Sequence, residues 1–338
     1  MRENGHGGDI YRFAQENGCR VDEVIDLSSN INFIKPELDI DFNSIDTAPY
    51  PDYSALQSDI AALYGVDVSN IELFNGATSA IYALYRLLGL KHTTLYAPLY
   101  LEYQKAAKAH GYAIDHIHRF EDLYAEVRPR SLVVFVNPST PDGSCYLLKE
   151  LMERWREKEC TVLIDESFLD FAAAGSALSH LKSCRRLYVL KSMTKFYAAA
   201  GIRIGALISS AENIEEIHRR EPLWKLSRFD SLYLQSALRD STFAQRSQSA
   251  NEAHREYLVR MLEAHPAIEK VFPSCANFVM VKLRQMSAAA FQSKLTPYRI
   301  MVRDCSNFEF LDERYLRIAV KDMQALLRLK EALCEISI

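Results

Sequence analysis

Five short apolar runs constrain this chain most: "TTLYA" (93–97), "LVVFV" (132–136), "TVLI" (161–164), "LYVL" (187–190) and "IGALI" (204–208). They are rich in β-branched and aromatic residues and too short for buried helices. They do not alternate apolar with polar, so both faces of each must be covered. Helical patterns separate the earlier runs. This order predicts an α/β fold with a mostly parallel sheet between helical layers. "SALQSDIAALY" (54–64) puts Leu56, Ile60 and Leu63 on one helical face, with Ser54 as its N-cap. From about 230 to 265 runs a mostly polar helical pattern, one helix or two. The rest reads as strand (271–283), helix (287–295), a short strand near 300, strand (315–320) and helix (322–335), an α+β arrangement. At 338 residues the chain fits two domains. Residues 48–240 are expected to form the large one. The irregular start, 1–47, and residues 241–338 are expected to form the smaller one together.

The net charge of -4 argues against a nucleic-acid-binding surface. No apolar run approaches a membrane span, and no secretory core follows Met1. The seven cysteines are scattered, odd in number and without a C-x-x-C pair. Neither a zinc site nor a disulfide framework is expected, and a reducing cytoplasm is the expected location.

Four segments carry chemistry. In "FNGATSAIYAL" (74–84), Gly76-Ala77-Thr78 stands where a loop enters a helix. The free N–H groups of a helix start, with the Thr78 hydroxyl, suit a phosphate, although capping alone uses the same residues. In "VLIDESFLDF" (162–171), Asp165 follows an apolar strand, at the end where ligands sit in open α/β sheets. Capping of the next turn is the alternative reading. "SMTKFYAAAGIRIG" (192–205) also follows a strand. It sets Lys195 among Ser192, Thr194, Phe196 and Tyr197, and Arg203 between glycines and isoleucines. A cation in that apolar setting calls for an anion. In "YLRIAV" (315–320), Arg317 interrupts a strand-like run. It suits a carboxylate clamp or an edge-strand salt bridge.

The order of these segments resembles that of pyridoxal-phosphate enzymes with the aspartate-aminotransferase fold (fold type I), over essentially the whole chain. That resemblance implies a large α/β/α sandwich domain with a mostly parallel sheet, plus a smaller α+β domain. It implies pyridoxal 5'-phosphate as cofactor and no metal. Lys195 would be the covalent anchor and later carry protons. Asp165 would pair with the ring nitrogen. Ala77, Thr78, Ser192 and Arg203 would hold the cofactor phosphate. Tyr100 would stack on the ring, with Tyr103 in reserve. Tyr50, in "APYPDY", would reach the phosphate of a neighbouring subunit, implying a homodimer with shared active sites. Arg317 would bind the substrate carboxylate.

Within the family, "NGHGGDIYRFA" (4–14), "LSSNINF" (27–33) and "RDCSNFEFLDERYLRIAV" (303–320) resemble segments of the threonine-phosphate decarboxylases. The likeness implies substrate contacts by His6, Gly7, Asn30 and Arg303. The implied reaction is decarboxylation of O-phospho-L-threonine, or of O-phospho-L-serine, to an amino alcohol phosphate for the cobalamin side chain. Histidinol-phosphate aminotransferase is the alternative. Phe168, in "DESFLDF", matches the decarboxylases, where many aminotransferases carry tyrosine. "NPSTPDG" (137–143) departs from the family, because Thr140 replaces an asparagine that bonds the cofactor's ring hydroxyl and lies near the substrate. A threonine hydroxyl donates one bond and is shorter than an amide.

Overall fold

The computed structural model describes residues 7–336. Thirteen strands run in chain order: β1 (Ile25–Asp26), β2 (Ile71–Asn75), β3 (His92–Ala97), β4 (Ala113–His118), β5 (Leu132–Val136), β6 (Thr161–Asp165), β7 (Leu187–Ser192), β8 (Ile204–Ile208), β9 (Ile268–Val271), β10 (Phe278–Leu283), β11 (Ile300–Met301), β12 (Arg303–Asp304) and β13 (Tyr315–Ala319). A seven-stranded sheet has the order β2-β8-β7-β6-β5-β3-β4. All its pairings are parallel except those of β8, which runs against both β2 and β7. All five apolar runs are strands of this sheet, and β5, β6 and β8 are buried along their whole length. Two buried apolar clusters flank the sheet, one containing Val133, Phe135 and Trp155, the other Leu95, Val134 and Leu207. Alternate residues of one strand thus feed opposite layers.

The C-terminal sheet has the order β12-β13-β10-β9, all antiparallel. A third apolar cluster joins Leu27 to residues between Leu258 and Ile336. The early strand β1 pairs in parallel with β11. Among the described residues no helix is long and apolar enough to cross a membrane.

Several expectations need correction. β2 and β4 belong to the central sheet but carry Glu72, Asn75, Asp115 and two histidines, which masked them as strands. Residues 1–47 are less irregular than expected, since Ile10–Glu16 is helical. The polar stretch is two helices, Arg228–Arg239 and Phe243–Glu263. The expected strand 271–283 is two strands, separated by a loop containing Pro273. Ser54 is the first helical residue rather than the N-cap, and its N–H is held by the Asp52 carboxylate. Leu56 and Ile60 are fully buried, whereas Leu63 is exposed.

No disulfide framework was expected, yet one bridge is present. Cys145, in the loop after β5, and Cys275, in the loop before β10, form a disulfide across 130 residues of sequence. Their spacing carried no signal because tertiary packing brings the two loops together. The Cys275 N–H also donates to the Gly143 carbonyl at 2.9 Å. Closing so long a loop restricts the unfolded chain, so Cys145→Ser should cost about 2–4 kcal/mol of stability. Urea denaturation of the two proteins without reductant checks this. Equal midpoints would show that the bridge contributes nothing.

Candidate active site

A cleft of about 520 Å³ lies at one edge of the central sheet and is closed by the C-terminal sheet and by residues 7–31. At this edge β2, β3, β5, β6 and β7 end and β8 begins. The residues that follow those strand ends therefore converge. They are Ala77 and Thr78 after β2, Tyr100 after β3, Thr140 after β5, Asp165 closing β6, and Ser192 and Lys195 at the end of β7. Arg203 precedes β8 and faces the same space.

The anion cradle is built by close approach. Gly205 on β8 sits between Phe74 of β2 and Ser192 of β7 in register. A Cβ on Gly205 would lie 2.5 Å from the Ala77 nitrogen, so only glycine lets β8 pass beneath the start of helix Ala77–Leu88. Gly76 has φ +80°, and a Cβ there would lie 2.8 Å from Arg203 Nη2. Arg203 donates to the Ala200 carbonyl and forms no ion pair with a carboxylate among the described residues. The helix N-terminus, the Thr78 hydroxyl, the Ser192–Thr194 hydroxyl pair (2.9 Å) and this guanidinium make a site for a phosphate. Gly76 is itself the N-cap of this helix, so the capping reading and the phosphate reading fall on the same residue.

Lys195 stands on the short helix Met193–Phe196 and has no ion-pair partner among the described residues. Burial, together with the neighbouring cations Arg203 and Arg317, outweighs Asp165 and brings its ammonium down to about 8. Asp165 is buried, and its Oδ1 accepts from the Ser167 N–H (2.9 Å) and hydroxyl (2.5 Å). Its Oδ2 accepts from the Tyr103 hydroxyl at 2.7 Å. Asp165 thus lines the cleft and caps the next turn at once. Burial raises its carboxyl above the usual range, against the pull of these hydrogen bonds and Lys195. The adjacent Glu166 turns away and pairs with the buried Lys191 at 2.7 Å.

Arg317 of β13 and Arg303 of β12 are directly opposite in register, so both side chains leave the same face. Both are about nine-tenths buried. Arg317 donates to Thr140 Oγ1 and to the Ser28 carbonyl, each at 3.1 Å, and lies over the Phe278 ring. Its Nε has no partner. Burial first, and Arg303 as well, bring Arg317 down to about 10. Arg303 donates to Asn307 and lies over Phe308.

Other expected residues divide. Asn30 lines the cleft, with its Oδ1 buried and unpartnered. Gly7 also lines it, packed so closely on Ser28 that a Cβ would lie 2.4 Å from that carbonyl. Tyr100 lines it, with its hydroxyl 3.4 Å from Thr78 Oγ1, whereas Tyr103 lies behind Asp165 and is fully buried. Phe168 lines it edge-on to Phe278 and has no hydroxyl to donate. Tyr50 is not brought into this chain's cleft. It is 75% exposed and stacked on Trp224. His6 lies outside the described residues. Sequence reasoning missed Ser167, although Asp-x-Ser is an Asx-turn pattern. It also missed Asp26, which gathers the N–H and hydroxyl groups of Ser28 and Ser29 and shapes the cleft wall. Among the described residues no cluster of metal-ligating side chains is present.

A profile of the family described as "Aminotransferase class I and II" matches residues 19–333. The threonine-phosphate decarboxylase of Salmonella typhimurium is 27% identical over 98% of this chain and 96% of its own length. Histidinol-phosphate aminotransferase 2 of Archaeoglobus fulgidus is 30% identical over 93% of each chain. The solved structure of histidinol-phosphate aminotransferase from Sinorhizobium meliloti, in complex with pyridoxal-5'-phosphate, superposes with a TM-score of 0.83. It covers 97% of this chain and 94% of its own at 18% identity, a likeness of fold.

Proposed function

This chain belongs to the class I and II aminotransferase family, whose members depend on pyridoxal phosphate, and on that premise we propose that it decarboxylates O-phospho-L-threonine or a close analogue such as O-phospho-L-serine. The observation that carries the reading is the side-by-side placement of Arg303 and Arg317. Two cations opposite one another on adjacent strands repel, and burial makes the repulsion worse. An amino acid bearing both a carboxylate and a phosphate would offer one anion to each guanidinium. The Arg203 cradle stays separate, for the cofactor's own phosphate.

The cofactor fits the residues present: the glycine-lined cradle takes its phosphate, and the buried Asp165 carboxylate suits its ring nitrogen. When bound it supplies an electron sink for the bond that breaks at the substrate α-carbon. Lys195 would anchor it and, once displaced by substrate, deliver a proton to the α-carbon in place of the lost carboxylate. A group that titrates near 8 can both give and take that proton. Arg317 would bind and orient the substrate carboxylate, and Arg303 would hold the substrate phosphate. Asn30 and Gly7, with His6, would close the site around it. Thr140 accepts from Arg317, so its own proton is left to donate elsewhere and would serve the cofactor's ring hydroxyl. Tyr50 would act in the cleft of a second subunit. The product class, an amino alcohol phosphate, fits the cobalamin side chain.

Incubation of the cofactor-loaded protein with O-phospho-L-threonine, with no oxoacid present, tests the reaction. Steady release of CO₂ and of the amine phosphate is expected. Oxoacid-dependent amino transfer from histidinol phosphate, without CO₂, would replace this reading with the aminotransferase one. The similarity to the Archaeoglobus protein favours that second reading.

A further inference from the structure

Asp165 and Tyr103 carry an inference about how the cofactor is tuned. Tyr103 is the second residue of the helix Glu102–Ala109, and its ring is packed among apolar side chains. It is fully buried and does not face the cleft. Its hydroxyl reaches one polar atom, Asp165 Oδ2, at 2.7 Å. The other carboxylate oxygen is occupied by Ser167 through both its N–H and its hydroxyl. The carboxylate is therefore gripped at both oxygens, by Tyr103 from behind and by Ser167, which itself lines the cleft. A carboxylate oxygen has two lone pairs, so Oδ2 keeps one acceptor position open after Tyr103 is bonded. Oδ1 already accepts twice.

We propose that Tyr103 is a positioning residue whose hydroxyl selects Asp165 Oδ2 as the atom presented to the cofactor's ring nitrogen and keeps the negative charge on that carboxylate. The proposal rests on the reading of Asp165 as the partner of the ring nitrogen. Hydrogen bonds to an ionised group are worth more than neutral ones, and more still where water is excluded. Burial alone drives Asp165 toward its neutral form, and Tyr103 opposes this. The ionisable groups that face Asp165 are Tyr103, Tyr100 and, from the opposite side, Lys195. The Tyr103 phenol is itself held well above its usual range, by burial first and then by Asp165, so it remains a donor.

Tyr103→Phe removes the hydroxyl and keeps the ring. The expected result is about tenfold weaker cofactor binding and an altered pH titration of the bound cofactor's absorption. Tyr85→Phe is the control. Tyr85 is equally buried, and its hydroxyl pairs with Thr93 rather than with the cleft. It should lower the melting temperature without moving affinity or absorption. Incorporation of 3-fluorotyrosine, a stronger donor of the same shape, should shift the titration in the direction opposite to Tyr103→Phe. Asp165→Asn separates the two levels of the argument. If it leaves the absorption titration unchanged, the reading of Asp165 fails. If it changes the titration while Tyr103→Phe does not, only the role of Tyr103 is overturned. Equal losses in Tyr103→Phe and Tyr85→Phe would overturn that role too, as packing alone.

Discussion

Replacing Lys195 by alanine should reduce turnover about 10⁴-fold or more, since on the proposed reading it removes a proton-transfer group and the covalent anchor at once. CO₂ release from O-phospho-L-threonine measures the first loss. Loss of the cofactor on gel filtration measures the second. A Lys195→Ala protein that kept its turnover would remove the lysine from the chemistry altogether. The same residue predicts a pH dependence. Only the neutral amine can attack the cofactor's aldehyde, and Lys195 loses its proton near 8. The rate of cofactor capture by the cofactor-free protein should therefore rise about tenfold per unit below pH 8 and level off above it. The direction follows from the sign of the shift. Burial and the two arginines push the ammonium down, so the reactive form gains as pH rises. A flat profile between pH 6 and 9 would contradict the environment described for this lysine.

The second large effect is expected from Arg317→Ala. Its guanidinium is buried with no carboxylate partner among the described residues and faces Arg303 across the strand pair. On the proposed reading Arg317 binds the substrate carboxylate, so its loss should lower kcat/KM about 10²–10³-fold. Cofactor affinity should stay near its original value, because the cradle is built by Arg203 and the helix N-terminus. Stability should move the other way. Removing one of two buried like charges relieves repulsion, so the melting temperature is expected to hold or rise. Arg317→Lys should not restore activity, since an ammonium cannot reproduce the three contacts of the planar fork. Unchanged kcat/KM in Arg317→Ala would detach this residue from the substrate. A fall in melting temperature would mean that Thr140 and Ser28 use it as a structural tie.

Much of the central sheet could be read directly from the chain. A strand buried on both faces must be apolar throughout, and β5, β6 and β8 are. β2 and β4 escaped because their outer residues meet water or ions: Glu72, for example, is paired with Lys225 and His218. Lys195, Asp165 and Arg203 were legible for a related reason. Each stands next to a strand end, and parallel strands bring their ends to one edge, so position along the chain already implies position in the cleft.

The remaining features depend on contacts between distant segments. Nothing in "RDCSNFEFLDERYLRIAV" tells which residue of β12 meets which residue of β13, and a shift of one position would send Arg303 and Arg317 to opposite faces. Tyr103 offered no sign that it would lie behind Asp165 rather than line the cleft, because Tyr100 stands before the helix that carries Tyr103 and helical periodicity does not relate the two. Cys145 and Cys275 carried no spacing signal across 130 residues. The chain by itself determined the layered α/β fold and the line of groups along one sheet edge, through local periodicity and strand ends. Only the tertiary structure decided strand register, the far side of the carboxylate and the bridged loops, since these come from packing between segments whose separation in sequence encodes no geometry.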